Sequence, residues 1–126
     1  MASILLVDDE PNIRFFYSDV LTERGHRVYE AASGDEAMHV IAEKSPDLVV
    51  LDIKLASENG LHLLQHIVRD YPDVPVILLT AYISFQDDYT SWLAHQYILK
   101  SNDPSEFLQA VDEVLRTSQW QASAGA

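Results

Sequence analysis

Cysteine is absent from this sequence, which excludes disulfides and thiolate metal sites and fits a cytoplasmic protein. Basic residues are scarce: eight Lys and Arg stand against twenty Asp and Glu, for a formal charge of −12. Phosphate backbones are gripped by clustered Lys and Arg, so direct nucleic-acid binding is argued against, and a protein or a cation is the expected partner. No apolar run exceeds strand length, so no membrane-spanning segment is expected. The opening MASILLVDDE has no basic leader followed by a cleavage site, and no signal peptide is read there. The P-loop, the dinucleotide-binding glycine pattern and the nucleophile elbow are all missing. What remains is 126 residues, 48% hydrophobic and 22% charged, enough for one domain with one substantial core.

Strand-like and helix-like segments alternate along the chain. SILLV (3–7) is a short apolar run, and from Pro11 the residues Ile13, Phe16, Tyr17, Val20 and Leu21 follow helical spacing. Pro11 suits a first helical turn, with Asp9 or Glu10 near the cap, and Gly25 ends the helix. HRVYEAA predicts a second strand, and the capping-box pattern SGDE (33–36) opens a second helix through about Lys44. LVVLD is the third strand, nearly all aliphatic and therefore central. A third helix runs from Asn59 with Leu63, Leu64, Ile67 and Val68 inward. VPVILLT (74–80), a short helix after Ser84, the strand HQYIL (95–99) and a helix opened by DPSE (103–106) complete the pattern. Five strand–helix repeats imply a parallel sheet covered on both faces. The small, polar end SQWQASAGA reads as a frayed tail or a linker stub.

In such a sheet, binding sites lie beyond the carboxyl ends of the strands. Strand one ends in Asp8, Asp9 and Glu10, strand three in Asp52, strand four in Thr80 and strand five in Lys100. Clustered carboxylates raise each other's proton affinity unless a cation intervenes, and with no His or Cys at these ends magnesium is the natural candidate. Lys100 offers an ammonium to a phosphate, and Thr80 a hydroxyl. A carboxylate, a divalent ion, a lysine and a hydroxyl are recurring parts of phosphoryl transfer, in which a carboxylate can itself be the nucleophile. Taken singly, each residue has a plainer reading: Asp9 or Glu10 as a helix cap, Asp52 capping a turn, Thr80 as a β-former, Lys100 as a solvated strand end. Four polar strand ends converging on one edge is what those readings leave unexplained.

ILLVDDEP, VVLDI, VILLTA and YILK, in this order, resemble the receiver domain of two-component response regulators. The resemblance covers about residues 3–117. It implies a flavodoxin-like α/β fold, a five-stranded parallel sheet in the order 2-1-3-4-5 with five helices. The receiver would occupy residues 1–117 and the polar tail 118–126. The resemblance further implies that Asp52 is the phosphoacceptor, taking a phosphoryl group from phosphohistidine on a sensor histidine kinase or a histidine phosphotransfer protein. Asp9 and Asp52 would bind Mg2+ directly, Asp8 mainly through water, and the Lys54 carbonyl would complete the protein ligands. Lys100 would neutralise the phosphoryl group, Thr80 would move to bond it, and the Ala81 N–H would assist. Tyr97 would turn inward as Thr80 moves, changing the affinity of a downstream protein at the strand-five face; an ordinary half-buried strand aromatic is its plainer reading. Lys54 and Tyr82 stand where the family tunes the lifetime of the aspartyl phosphate, and a bulky Tyr82 hindering water leads us to expect a lifetime of minutes or longer.

Three departures from the family pattern stand out. Ser101 replaces the usual proline after the lysine; a cis bond without proline costs roughly 3 kcal/mol, so a trans Lys100–Ser101 bond with a rebuilt turn is expected. The loop after strand three reads LASENG, with Ala56 and Ser57 in place of Pro-Gly and only Gly60 retained. The stretch from Thr80 to Lys100 is slightly short, with Leu93 where glycine is usual. These changes leave room for a phosphorylation-independent pseudo-receiver that acts as an interaction module. A turnover phosphohydrolase is disfavoured, because Lys54 stands where a second general-acid carboxylate would be needed. His62, His66 and Asp70 share a helical stripe that could bind zinc, but a solvent face explains them as well.

Overall fold

The computed structural model describes residues 2–55, 58–81 and 94–125. The elements in chain order are β1 (Ser3–Val7), α1 (Pro11–Glu23), β2 (Arg27–Ala31), α2 (Gly34–Lys44) and β3 (Leu48–Asp52). They continue with β4 (Lys54–Leu55), β5 (Glu58–Asn59), α3 (Gly60–Asp70), β6 (Val76–Thr80), β7 (Gln96–Leu99) and α4 (Ser105–Gly125). β2-β1-β3-β6-β7 form one parallel sheet, which is the order 2-1-3-4-5 when its own five strands are counted along the chain. The difference in detail is β4-β5, a separate antiparallel pair between β3 and α3 that the apolar pattern does not announce. Four helices are described; the helix expected after Ser84, together with Leu93, lies outside the described residues.

The sheet divides the core in two because successive side chains on a strand point to opposite faces. On one face Ile4, Leu6, Leu48, Val50, Ile77 and Leu79 pack with Tyr17 and Leu21 of α1 and Phe107 and Val111 of α4. On the other Leu5, Val7, Val49, Leu51 and Leu78 pack with Ile41 of α2 and Leu63, Leu64 and Ile67 of α3. β3 and β6 are buried along their whole length, hence their unbroken apolar runs, whereas edge strand β2 exposes Arg27 and Glu30.

Helix ends follow the local chemistry. The Ser33 hydroxyl accepts from the Glu36 N–H at 3.2 Å, while the Glu36 carboxylate reaches back to the Ala32 N–H at 3.1 Å, satisfying two donors at the start of α2. Asn59 accepts from the Leu61 N–H at 2.8 Å and Asp103 from the Ser105 N–H at 3.0 Å, opening α3 and α4. Gly25, at φ 89°, carries the chain out of α1 in a conformation that side chains resist. All five sheet strands run the same way, so their carboxyl ends meet at one edge.

Candidate functional site

Asp8 leaves β1 with its N–H still bonded to the Ala31 carbonyl of β2 at 3.1 Å, so the ladder itself fixes where its side chain begins. Its Oδ1 accepts from the Glu10 N–H at 2.9 Å, a local turn that points the carboxylate inward; Glu10 holds the cap position of α1 as expected, without a side-chain bond of its own to the helix. The Arg14 guanidinium donates to the Asp8 carbonyl at 2.6 Å and to Glu30 of β2 at 2.9 Å, tying the loop to α1 and the sheet edge. Asp52 ends β3, with the Lys54 N–H donating to its Oδ1 at 3.3 Å. Asp8 and Asp52 are buried and Asp9 is half-buried, and one carboxylate oxygen of each lies within 4.8 Å of those of the other two.

Lys100 enters from the far side of the sheet. Its backbone N–H donates to the Thr80 carbonyl at 2.6 Å, and its Nζ lies 3.1 Å from both Asp8 Oδ2 and Asp52 Oδ2. Thr80 is fully buried at the end of β6, whose register sets Leu79 opposite Asp52 and Thr80 opposite Leu99. Ala81 follows on the surface, Tyr97 is half-buried against the α2–α3 core, and the Lys54 side chain is exposed. Tyr82 lies outside the described residues. Of the residues singled out in the sequence, Asp8, Asp9, Asp52 and Lys100 therefore share one cluster, and Thr80 adjoins it through the backbone of Lys100.

Burial pushes the Asp52 carboxyl up to about 6; the Lys100 ammonium pulls against that shift and the neighbouring Asp8 adds to it. For Lys100, burial opposes the charge, but Asp52 and Asp8 outweigh it and hold the ammonium above its ordinary range. One ammonium facing three carboxylates leaves an excess of negative charge in a poorly solvated place. Asp8 Oδ2 is buried and receives no hydrogen bond of acceptable geometry, although the Lys100 ammonium lies 3.1 Å away. An oxygen-only donor set of three carboxylates with excess negative charge fits a hard divalent cation such as Mg2+, which keeps several of its own waters.

The Lys100–Ser101 turn and the described part of the loop after β3 bear on the site, while Ala56 and Ser57 lie outside the described residues. No peptide bond among the described residues is cis, so Lys100–Ser101 is trans, as the missing proline predicts. After β3, the chain folds back through β4-β5 so that the Gly60 N–H donates to the Ile53 carbonyl at 2.7 Å. A Cβ on Gly60 would collide with the Asp52 carbonyl oxygen and come within 2.6 Å of that of Ile53, which accounts for the one glycine kept there. His62 and His66 do not join a metal-ligating group among the described residues; His66 Nδ1 instead lies 3.1 Å from Arg69.

Sequence reading missed Arg14 and Tyr17. Helical spacing places Tyr17 on the apolar face of α1, where it lies 2% exposed. Its hydroxyl, however, accepts from the Ser101 N–H at 3.1 Å and donates to the Ser101 carbonyl at 3.3 Å. Burial raises the hydroxyl's pKa and keeps it neutral, able to do both. The available signal was that a buried tyrosine needs a partner for its hydroxyl.

This fold, with its acids and lysine at the carboxyl edge of a doubly wound sheet, is that of a signalling receiver, and the chain belongs to the response regulator receiver domain family, whose sequence profile matches residues 4–112. It is 34% identical over 119 residues to the transcriptional regulatory protein GlrR of Escherichia coli, covering 93% of this chain and 27% of that protein. The chain spans about a quarter to a half of the length of the curated relatives it matches. Among solved structures, the response regulator TrrA of Thermotoga maritima in complex with Mg2+-BeF is 38% identical, with a TM-score of 0.87 over 90% of this chain and 99% of that one. TrrA in complex with the histidine kinase ThkA superimposes with a TM-score of 0.85 over 91% of this chain and 99% of that one.

Proposed function

We propose that this domain, residues 1–117, takes a phosphoryl group onto Asp52 from phosphohistidine on a sensor histidine kinase or histidine phosphotransfer protein, and that the modification switches the binding of a downstream protein. The observation that carries this reading is the Lys100 ammonium 3.1 Å from both Asp8 and Asp52, in a cluster of three carboxylates. An Asp52 oxygen attacks phosphorus, the O–P bond forms, and the P–N bond breaks with its electron pair returning to the imidazole. Asp8, Asp9, Asp52 and the Lys54 carbonyl would hold Mg2+, which when bound neutralises the phosphoryl oxygens and aligns the group for in-line displacement. Lys100 stands on the same carboxylates and supplies a second positive charge, while the Ala81 N–H and the Thr80 hydroxyl take the phosphoryl oxygens. Thr80 and Tyr97 form the two-state element, with Tyr97 on edge strand β7, so the target surface is the β7 face.

The reading is of a cytoplasmic signalling switch rather than a turnover enzyme. No helix among the described residues is long and apolar enough to cross a membrane, and the acidic surface disfavours direct nucleic-acid contact. The relative TrrA, solved in complex with the histidine kinase ThkA, supports the choice of donor, and TrrA with Mg2+-BeF supports the choice of ion. The trans Lys100–Ser101 bond still leaves the ammonium on the acids, which weakens the argument from Ser101 for a phosphorylation-independent module. The test is intact-mass analysis after incubation with a small phosphodonor and Mg2+. One Mg2+-dependent phosphoryl adduct is expected on the wild type and none on Asp52→Asn; an adduct on both, or on neither, overturns the assignment.

A further inference from the structure

Resting on that reading, we infer that Tyr17 is a positioning residue for Lys100: its hydroxyl clamps both backbone polar groups of Ser101 and so holds the lysine over the acids at a turn where serine, not proline, follows the lysine. Three observations converge. The hydroxyl receives the Ser101 N–H at 3.1 Å and donates to the Ser101 carbonyl at 3.3 Å, so both of its bonds go to the residue that follows the lysine. Proline has no N–H, so the first of these bonds exists only because residue 101 is not proline. The tyrosine itself is immobilised, 2% exposed, its ring meeting Phe107 of α4 edge-on at 4.9 Å and Phe16 at 5.0 Å.

Lys100 is thereby fixed on both sides. Its own N–H is bonded to the Thr80 carbonyl of β6, and the next peptide is bonded to α1. Beyond that, the turn relies on short-range bonds: the Asp103 N–H donates to the Ser101 hydroxyl at 3.1 Å, and Asp103 caps α4. Ser101 is exposed, and without Tyr17 its backbone would turn to water and the Lys100 side chain would lose its fixed origin. A displacement of the phosphoryl-neutralising charge by a fraction of an ångström slows transfer without abolishing the fold.

Tyr17→Phe removes the hydroxyl and leaves the ring. Two readouts are taken on the full chain: the rate of Mg2+-dependent phosphorylation by a small phosphodonor, and the acylation of Lys100 by an amine reagent relative to Lys44, mapped by peptide mass. We expect phosphorylation to be about three- to tenfold slower and relative labelling of Lys100 to rise several-fold. A merely structural loss lowers the melting temperature but leaves the labelling ratio of the folded protein unchanged. Wild-type phosphorylation rate or an unchanged labelling ratio overturns the inference. Should Tyr17→Phe fail to fold, amide hydrogen exchange of the wild type reads the clamp directly: the Ser101 N–H is expected to exchange at least about tenfold more slowly than an open amide, and exchange at the open rate overturns the inference. A wild type that takes no phosphoryl group refutes the phosphoacceptor reading, while the labelling ratio still reports on the clamp.

Discussion

The turns after β3 and after β7 both lack the proline that the resemblance to receiver domains leads one to expect, and their described parts are held by two different means. After β3 the solution is local: Lys54–Leu55 pairs with Glu58–Asn59, and Gly60 folds onto the carbonyls of Asp52 and Ile53. After β7 it is long-range, a hydroxyl 84 positions earlier in the chain bonding the backbone of Ser101. A local repair is a property of a short sequence and can form as soon as that segment orders. A long-range repair exists only once α1, β7 and α4 have packed, so the Lys100 position inherits the stability of the whole core.

The contrast can be broken most severely at Gly60. Gly60→Ala places a methyl group against two backbone carbonyls, and a destabilisation of about 2–4 kcal/mol is expected together with loss of Mg2+-dependent phosphorylation, read by urea unfolding and intact mass. Next comes Asp52 itself. Its carboxyl is raised from 3.8 to about 6 on folding, so the folded state holds this proton more tightly than the unfolded chain. That contribution is fully present below 3.8 and is lost as the pH rises through about 6. In the presence of a chelator, Asp52→Asn should therefore stabilise the protein by about 1–3 kcal/mol at pH 7.5 and by little at pH 4, measured by urea unfolding at the two values. Added Mg2+ should narrow the gap at pH 7.5 by stabilising the wild type more than the variant, which lacks one of the carboxylates.

Two smaller changes weigh the repairs against each other. Tyr17→Phe should cost about 1–2 kcal/mol, because the Ser101 groups it leaves can bond water. Asn59→Ala, which removes the α3 cap at the hairpin's exit, should cost about 1 kcal/mol, checked by thermal melts. If the two repairs differ as described, Asn59→Ala leaves the labelling of Lys100 unchanged while Tyr17→Phe raises it.

How far each feature could be read from sequence follows the same division. β1, β3 and β6 are apolar on both faces, and α1 to α3 carry helical spacing with recognisable caps, so their existence was legible in short windows. Asp8, Asp52, Thr80 and Lys100 were legible as a site because parallel strands bring their ends together whatever lies between. The hairpin β4-β5 was not, since two residues a side carry no periodicity. Tyr17 was read as core, correctly but incompletely: periodicity says which face a side chain takes and nothing about where its polar tip ends. Arg14 was missed for the same reason, its partners Asp8 and Glu30 being set by tertiary placement.

The clamp on Ser101 also constrains the order in which this chain can change. Proline introduced at position 101 would remove the N–H that, among the described residues, donates to the part-buried Tyr17 hydroxyl. Phenylalanine introduced first at position 17 leaves unpaired groups on Ser101, which faces solvent and can be hydrated. The tyrosine and the serine are thus coupled: whichever of the two changes first forfeits a bond that only the pair can make.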